Sequence, residues 1–262
     1  MNSSALTAVL PGWKVMAASV QGSAHRKCEQ PCQDRCCWET VAGKTLVAAV
    51  ADGAGTASLG GLGATIASST AVELACRRLG AVDSRLGDIE WRHLLKGAAR
   101  VARNALVAEA RNRQVSAMDL ATTLILAVAT PAVLAVAQIG DGAVVVGYQR
   151  TGLAAVTLPQ HGEFLNETFF LVSPGALERI DLKVWRGPVS HVALLSDGLQ
   201  MLALKMPGGT PHAPFFLPMW EIAARSCDAG QGHASLVEFL ESPRIAARTD
   251  DDLTLLLGSL EG

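Results

Sequence analysis

Three apolar runs of this chain meet an aspartate at one end: Val50-Ala51-Asp52-Gly53, Leu195-Ser196-Asp197-Gly198, and Asp250-Asp251-Asp252 before Leu253. A fourth aspartate, in Ile139-Gly140-Asp141-Gly142, falls in the turn after another such run. Side chains at strand ends are held at the rim of a sheet. Several carboxylates converging there repel one another unless a hard cation such as magnesium or manganese neutralises them. The chemistry open to such a set is the hydrolysis of phosphate esters by bound divalent metal. Any single Asp-Gly is more often a turn than a ligand, so the argument rests on the set. It also rests on the glycine-rich Asp52-Gly53-Ala54-Gly55 and Gly60-Gly61-Leu62-Gly63 leading into a helix. That pattern fits backbone packed closely around an ion, with the Gly53 carbonyl free to join the shell.

The elements that must position these aspartates read as a mixture. Residues 44–51 form an apolar run, and 64–79 follow with helical spacing and Arg77 and Arg78 near the end, where cations suit the helix dipole. Residues 90–113 read as a long amphipathic helix whose arginines form a solvated face. Residues 121–130 and 132–139 are rich in β-branched side chains and separated by Pro131, which predicts two buried strands and a tight turn. Strands over 143–148 and 153–158 follow with short connections, the mark of an antiparallel meander. A strand at 189–196, a helical stretch at 199–204, helices near 219–226 and 234–240, and a strand at 253–258 complete the reading. Residues 207–218 carry four prolines and two glycines, which predicts an irregular surface loop. The class is α+β, with helices covering a layered antiparallel sheet.

Composition bounds the partners. Of 262 residues, 50% are hydrophobic and 18% charged, a folded balance that can supply one large core. The formal charge of -2 gives no field to draw the chain onto nucleic acid or anionic lipid, so neither is an expected partner. The nearly uncharged stretch 120–140 is long enough to span a bilayer, but Pro131 breaks it. Residues 1–18 lack a basic leading region and are interrupted by Pro11, Gly12 and Lys14, so the expected location is cytoplasmic. With no repeat or linker, residues 1–262 are expected to form one domain. Cys28, Cys32, Cys36 and Cys37 crowd one segment near His25, but their overlapping spacing suits partly buried thiols better than a zinc site. His93, His161, His191, His212 and His233 show no paired ligand spacing, and Trp38, Trp91, Trp185 and Trp220 read as packing residues.

The order of motifs resembles the metal-dependent PP2C-type (PPM) serine/threonine protein phosphatases over about Val20 to Leu257. The markers are Gln33-Asp34, Asp52-Gly53-Ala54-Gly55, Ala121-Thr122-Thr123-Leu124, Gly140-Asp141-Gly142, Ser196-Asp197-Gly198 and Asp251-Asp252-Leu253-Thr254. The segment 159–168 looks like the compact bacterial branch of that family. The resemblance implies a four-layer α/β/β/α fold: an antiparallel β-sandwich flanked by helices on both faces, with a two-metal centre at one end. By position, Asp52 bridges two Mn2+ or Mg2+ ions, Asp197 and Asp251 ligate one, and the Gly53 carbonyl the other. Asp34 acts mainly through water, and Asp141 with Asp197 matches a third, weaker site. The implied activity is hydrolysis of phosphoserine and phosphothreonine in proteins, the products of a cognate kinase, by an activated water and without a covalent phosphoenzyme.

Departures from the family pattern are equally specific. Glu29 stands where the family has a phosphate-binding arginine, so substrate phosphate would fall to His25 or Arg26. Gln33 replaces the acidic neighbour of Asp34, and Ala54 stands where some members have a histidine acid. Two other readings compete: a binding module of the same fold that has lost turnover, and a phosphatase of small phosphate esters. Retention of the principal carboxylates disfavours the first, because repelling charges cost stability when no metal is needed.

Overall fold

The computed structural model describes residues 12–80, 86–149, 151–160, 168–225 and 229–261. In chain order the elements are β1 (Trp13–Val20), α1 (Ser23–Lys27), β2 (Arg35–Val41), β3 (Thr45–Ala51), α2 (Gly60–Gly80) and α3 (Asp88–Arg113). Next come β4 (Leu124–Ala129), β5 (Val133–Ile139), β6 (Ala143–Tyr148), β7 (Gly152–Thr157), β8 (Asp181–Arg186) and β9 (His191–Leu195). The last part holds α4 (Gln200–Ala203), the two-residue strands β10 (Leu204–Lys205) and β11 (Thr210–Pro211), α5 (Ala213–Arg225), α6 (Ala229–Leu240), α7 (Pro243–Ala246) and β12 (Leu253–Leu260).

Two five-stranded antiparallel sheets result, ordered β1-β12-β9-β6-β7 and β2-β3-β4-β5-β8. Their alternation sets the layers. Along β3, Leu46, Ala48 and Val50 point between the sheets, where they meet Trp13, Val192 and Leu256. Val47, Ala49 and Ala51 point the other way, onto α2 and α3. A strand buried on both faces needs an unbroken apolar run, which is why 45–51 lacks the polar alternation of a surface strand. The helices above it use small residues, Ala64, Ala67, Ala71 and Ala75 on α2 with Ala98, Ala99 and Ala102 on α3, so the pair can lie close to each other and to the sheet. On the far side, Ala18, Val145, Ala193 and Leu255 pack beneath Phe216, Trp220, Leu236 and Leu240 of α5 and α6. The architecture is the four-layer α/β/β/α arrangement.

Several local expectations change. Residues 207–218 are not an irregular loop throughout: a short hairpin of β10 and β11 occupies the first part, and α5 begins at Ala213. Pro214 sits in the first turn, where a missing N–H costs nothing. Pro218 lies inside the helix, a position tolerated here because Phe215, Phe216, Trp220 and Ala223 all bury their side chains. Trp38 is 37% exposed on the edge strand β2 and is not a packing residue, whereas Trp91 and Trp220 are buried. Strands β2 and β8 carry no clear signal in the apolar pattern, since both lie at sheet edges and neither is anywhere fully buried. Among the described residues, no helix is long and apolar enough to cross a membrane, and 120–140 instead supplies β4 and β5. His161 and most of the segment 159–168 lie outside the described residues.

Candidate metal centre

Register brings the aspartates to one rim. In the first sheet Leu195 of β9 pairs with Leu255 of β12 on one side and Ala143 of β6 on the other. The antiparallel ladder therefore puts Asp197, Asp251 and Asp141 at the same end. In the second sheet Val50 pairs with Ile125, and Leu124 with Ile139, so Asp52 and Asp141 also share an end. Asp141 is the junction where the chain crosses from one sheet to the other, and it draws the two rims together. Carboxylate oxygens of Asp52, Asp141 and Asp197 lie within 4.8 Å of one another. Asp251 lies outside this triad, with its charge acting on both Asp52 and Asp197.

Backbone contacts fix each aspartate. The Asp52 N–H donates to Thr123 Oγ1 at 2.9 Å, and its carbonyl accepts from Thr122 Oγ1 at 2.9 Å and the Thr123 N–H at 2.8 Å. Gly53 passes so close to Gly60 that a Cβ would fall 2.4 Å from a backbone carbon. Any other residue at position 53 would push the loop away from the rim. The Asp141 carboxylate accepts from Thr168 Oγ1 at 2.6 Å, and Gln200 donates to its carbonyl. Ser196, next to Asp197, exchanges hydrogen bonds with Thr254, its N–H donating to the Thr254 carbonyl at 3.1 Å and its Oγ accepting the Thr254 N–H at 2.9 Å.

Two supporting residues go beyond the sequence reading. Asp252 is buried and accepts the backbone N–H of Gly22 at 2.7 Å and of Gln33 at 2.6 Å, tying the segment that carries Asp34 to the start of β12. Gln138, fully buried, donates to the carbonyls of Gly140, Gly142 and Leu158 at 3.1, 2.8 and 3.1 Å, clamping the turn that carries Asp141. Its only signal in the sequence is an amide inside an otherwise apolar strand.

The rim is electrostatically expensive without cations. Burial pushes the Asp34 carboxyl up to about 6, against an ordinary 3.8. Burial first, then the charges of Asp141, Asp251 and Asp34, push Asp197 up to about 7. Asp52 is raised well above the ordinary range, first by burial and then by Asp34, Asp197 and Asp251. Asp251 is raised too, chiefly by desolvation. Both Asp34 oxygens and Asp197 Oδ1 are buried without a hydrogen-bond partner among the described residues. Buried acceptors are normally satisfied, so orphaned carboxylate oxygens facing like charges fit a cation that the protein folds around. An all-oxygen donor set suits a hard ion such as Mg2+ or Mn2+. Among the described residues, no cysteine joins a metal-sized cluster. Cys28 is exposed, and Cys32, Cys36 and Cys37 are half-buried free thiols. Burial pushes the Cys32 thiol up to about 12.

His25 and Arg26 sit apart from the triad on α1. His25 Nδ1 lies 2.9 Å from Asp252 Oδ2. Arg26 points outward, donating to the Gln21 carbonyl at 3.3 Å and lying 3.8 Å from Glu241. Helix α1 is nevertheless moored to the rim, since the Ala24 N–H donates to the Asp250 carbonyl at 2.8 Å.

A family model described as protein phosphatase 2C matches residues 21–241. The serine/threonine-protein phosphatase 3 of Escherichia coli (strain K12) is 34% identical over 251 residues, which is 94% of this chain and 97% of that protein. The fold also matches solved structures. A bacterial serine phosphatase superposes with a TM-score of 0.65 at 14% identity, over 95% of this chain and 98% of that one. PppA, a key regulatory component of T6SS in Pseudomonas aeruginosa, superposes with a TM-score of 0.62 at 18% identity, again over 95% and 98%.

Proposed function

This chain belongs to the protein phosphatase 2C family, and on that premise we propose that it is a metal-dependent protein serine/threonine phosphatase. Its centre would be built from Asp34, Asp52, Gly53, Asp141, Asp197 and Asp251 and would take two Mn2+ or Mg2+ ions, with Asp141 and Asp197 able to hold a third. The observation that carries this reading is the approach of the Asp52, Asp141 and Asp197 carboxylates to within 4.8 Å of one another. Bound there, such cations supply an activated water and neutralise the phosphoryl oxygens.

The chain's own groups do the rest. Thr122 and Thr123 hold the Asp52 N–H and carbonyl, which fixes the backbone from which its carboxylate reaches the rim. Asp34, whose two buried oxygens have no partner among the described residues, would accept hydrogen bonds from water at the centre. Asp252 and Gln138 set the two loops that frame the rim. His25 and Arg26 are the basic side chains assigned to the substrate phosphate, on a helix moored beside Asp251. We assign the whole of residues 1–262 to one catalytic domain acting in the cytoplasm on phosphoproteins made by a serine/threonine kinase.

Phosphate release from a phosphothreonine peptide and from an aryl phosphate tests the assignment. Manganese should support turnover of both, and EDTA should remove at least about a thousandfold, the scale of several kcal/mol of lost charge stabilisation. A metal-loaded protein inert toward both would be a binding module. Turnover of the aryl ester alone would make it a small-ester phosphatase.

A further inference from the structure

Beside the aspartate rim lies a concavity of about 620 Å3 that plays no part in holding metal. Its floor is apolar, formed by Met201, Phe215, Met219 and Phe239, and its edge carries Lys205, His212, Arg244 and Arg248. No carboxylate lines it. Position connects it to the centre. Asp197 leads directly into α4, Gln200 of that helix donates to the Asp141 carbonyl, and the next residue, Met201, is 74% exposed in the groove wall. Four residues of helix rise about 6 Å, so the groove begins next to the metal-holding aspartates.

The lining is basic with no acidic residue, in a chain that carries -2 as a whole. Among the described residues, Lys205, Arg244 and Arg248 face no carboxylate. Cations without a carboxylate partner around exposed Met201 and a floor of largely buried phenylalanine describe a surface built for a ligand with acidic and apolar groups side by side. Methionine adapts to varied apolar shapes, which suits a site that accepts more than one sequence. The volume suits one or two side chains and is too small for a helix.

Resting on the phosphatase reading above, we infer that this groove holds the substrate chain flanking the phosphorylated residue. It would take one bulky apolar side chain on the floor and acidic side chains on the rim, and so select phosphorylated sites in acidic, leucine-like surroundings. Nucleic acid is disfavoured because the basic patch is short and the chain is acidic overall.

The full chain loaded with Mn2+ serves as the test, assayed on three kinds of substrate, four molecules in all. One is an aryl phosphate. The second is a pair of phosphothreonine peptides carrying two aspartates and a leucine within four residues of the phosphothreonine, before it in one and after it in the other. The third is the same peptide with alanine at those positions. The wild type should prefer one acidic peptide over the alanine peptide about tenfold in kcat/KM, through KM, and high salt should shrink the preference. Arg244→Ala with Arg248→Ala should remove the preference and leave aryl phosphate turnover unchanged. Met201→Asp, at an exposed site that tolerates polarity, should do the same and covers failure of the double variant to fold. Equal rates on all peptides, or a preference that survives both variants, would overturn the inference while turnover of aryl phosphate upholds the phosphatase reading. A wild type inert even on aryl phosphate overturns both. A dimer that these substitutions dissociate, with no change in peptide rates, would assign the groove to a second copy of the chain and also overturn it.

Discussion

Asp52→Asn is expected to lower metal-dependent phosphate release by at least about a thousandfold and, at the same time, to stabilise the metal-free protein. The first effect follows from position. Asp52 lies within ligand distance of both Asp141 and Asp197, and its peptide unit is pinned by Thr122 and Thr123, so no neighbouring carboxylate can take its place. In the proposed centre Asp52 would help hold the cations, and its loss would remove several kcal/mol of charge stabilisation from the transition state, where about 1.4 kcal/mol is tenfold in rate. The second effect has the opposite sign because the native carboxylate is crowded by Asp34, Asp197 and Asp251. A neutral amide of the same shape relieves that repulsion. Thermal unfolding of the dialysed variant should rise by several degrees, since each kcal/mol moves Tm by about 2–4 °C in a chain of this size. A variant that loses both activity and stability would instead mark Asp52 as a structural residue.

The stabilisation conferred by Mn2+ is expected to grow steeply with pH. In the metal-free protein Asp34 titrates at about 6 and Asp197 at about 7, both above the 3.8 of an unfolded chain. Between pH 4 and 7 the folded form holds protons that the unfolded form has released. Stability contributed by these groups is therefore present at low pH and lost as pH rises through the folded values. Both shifts act in the same direction, so the Tm of the dialysed protein should fall across that window. Cations bind the ionised aspartates and cancel that loss, so the gap in Tm between Mn2+-loaded and dialysed protein should be small at pH 5 and largest near pH 8. A gap independent of pH would mean that the bound ion does not answer to these carboxylates.

Much of this centre could be read from the sequence because strand-end aspartates leave a local mark. Asp52, Asp141 and Asp197 each sit in an Asp-Gly step at the edge of an apolar run, and the antiparallel order of those runs dictates a shared rim. How close Asp141 comes to Asp52 is the kind of detail that register decides, because it depends on where β5 hands the chain to β6. Asp252 was visible only as part of a motif. Its role as the acceptor for Gly22 and Gln33 joins residues more than two hundred positions apart, a contact that no local pattern encodes. Gln138 is similar, since one amide in a buried strand cannot reveal which carbonyls it will clamp. The edge strands β2 and β8 escaped because half-exposed strands lack strict alternation. The second half of α5 matches the helix expected near 219–226, but its first turns, 213–218, escaped because proline statistics outvoted the burial of Phe215 and Phe216, which only the assembled sheet supplies. The basic groove combines α4, α5 and α7 with the β10–β11 hairpin and has no signature in any one of them.

The central claim is that these aspartates meet in order to hold cations, and anomalous diffraction from crystals grown with Mn2+ tests it most directly. Anomalous peaks should appear among the carboxylates of Asp52, Asp141, Asp197 and Asp251 in the wild type and be lost or reduced in Asp52→Asn. Manganese at the cysteine segment instead, or a wild-type rim that stays empty at saturating metal, would contradict the account.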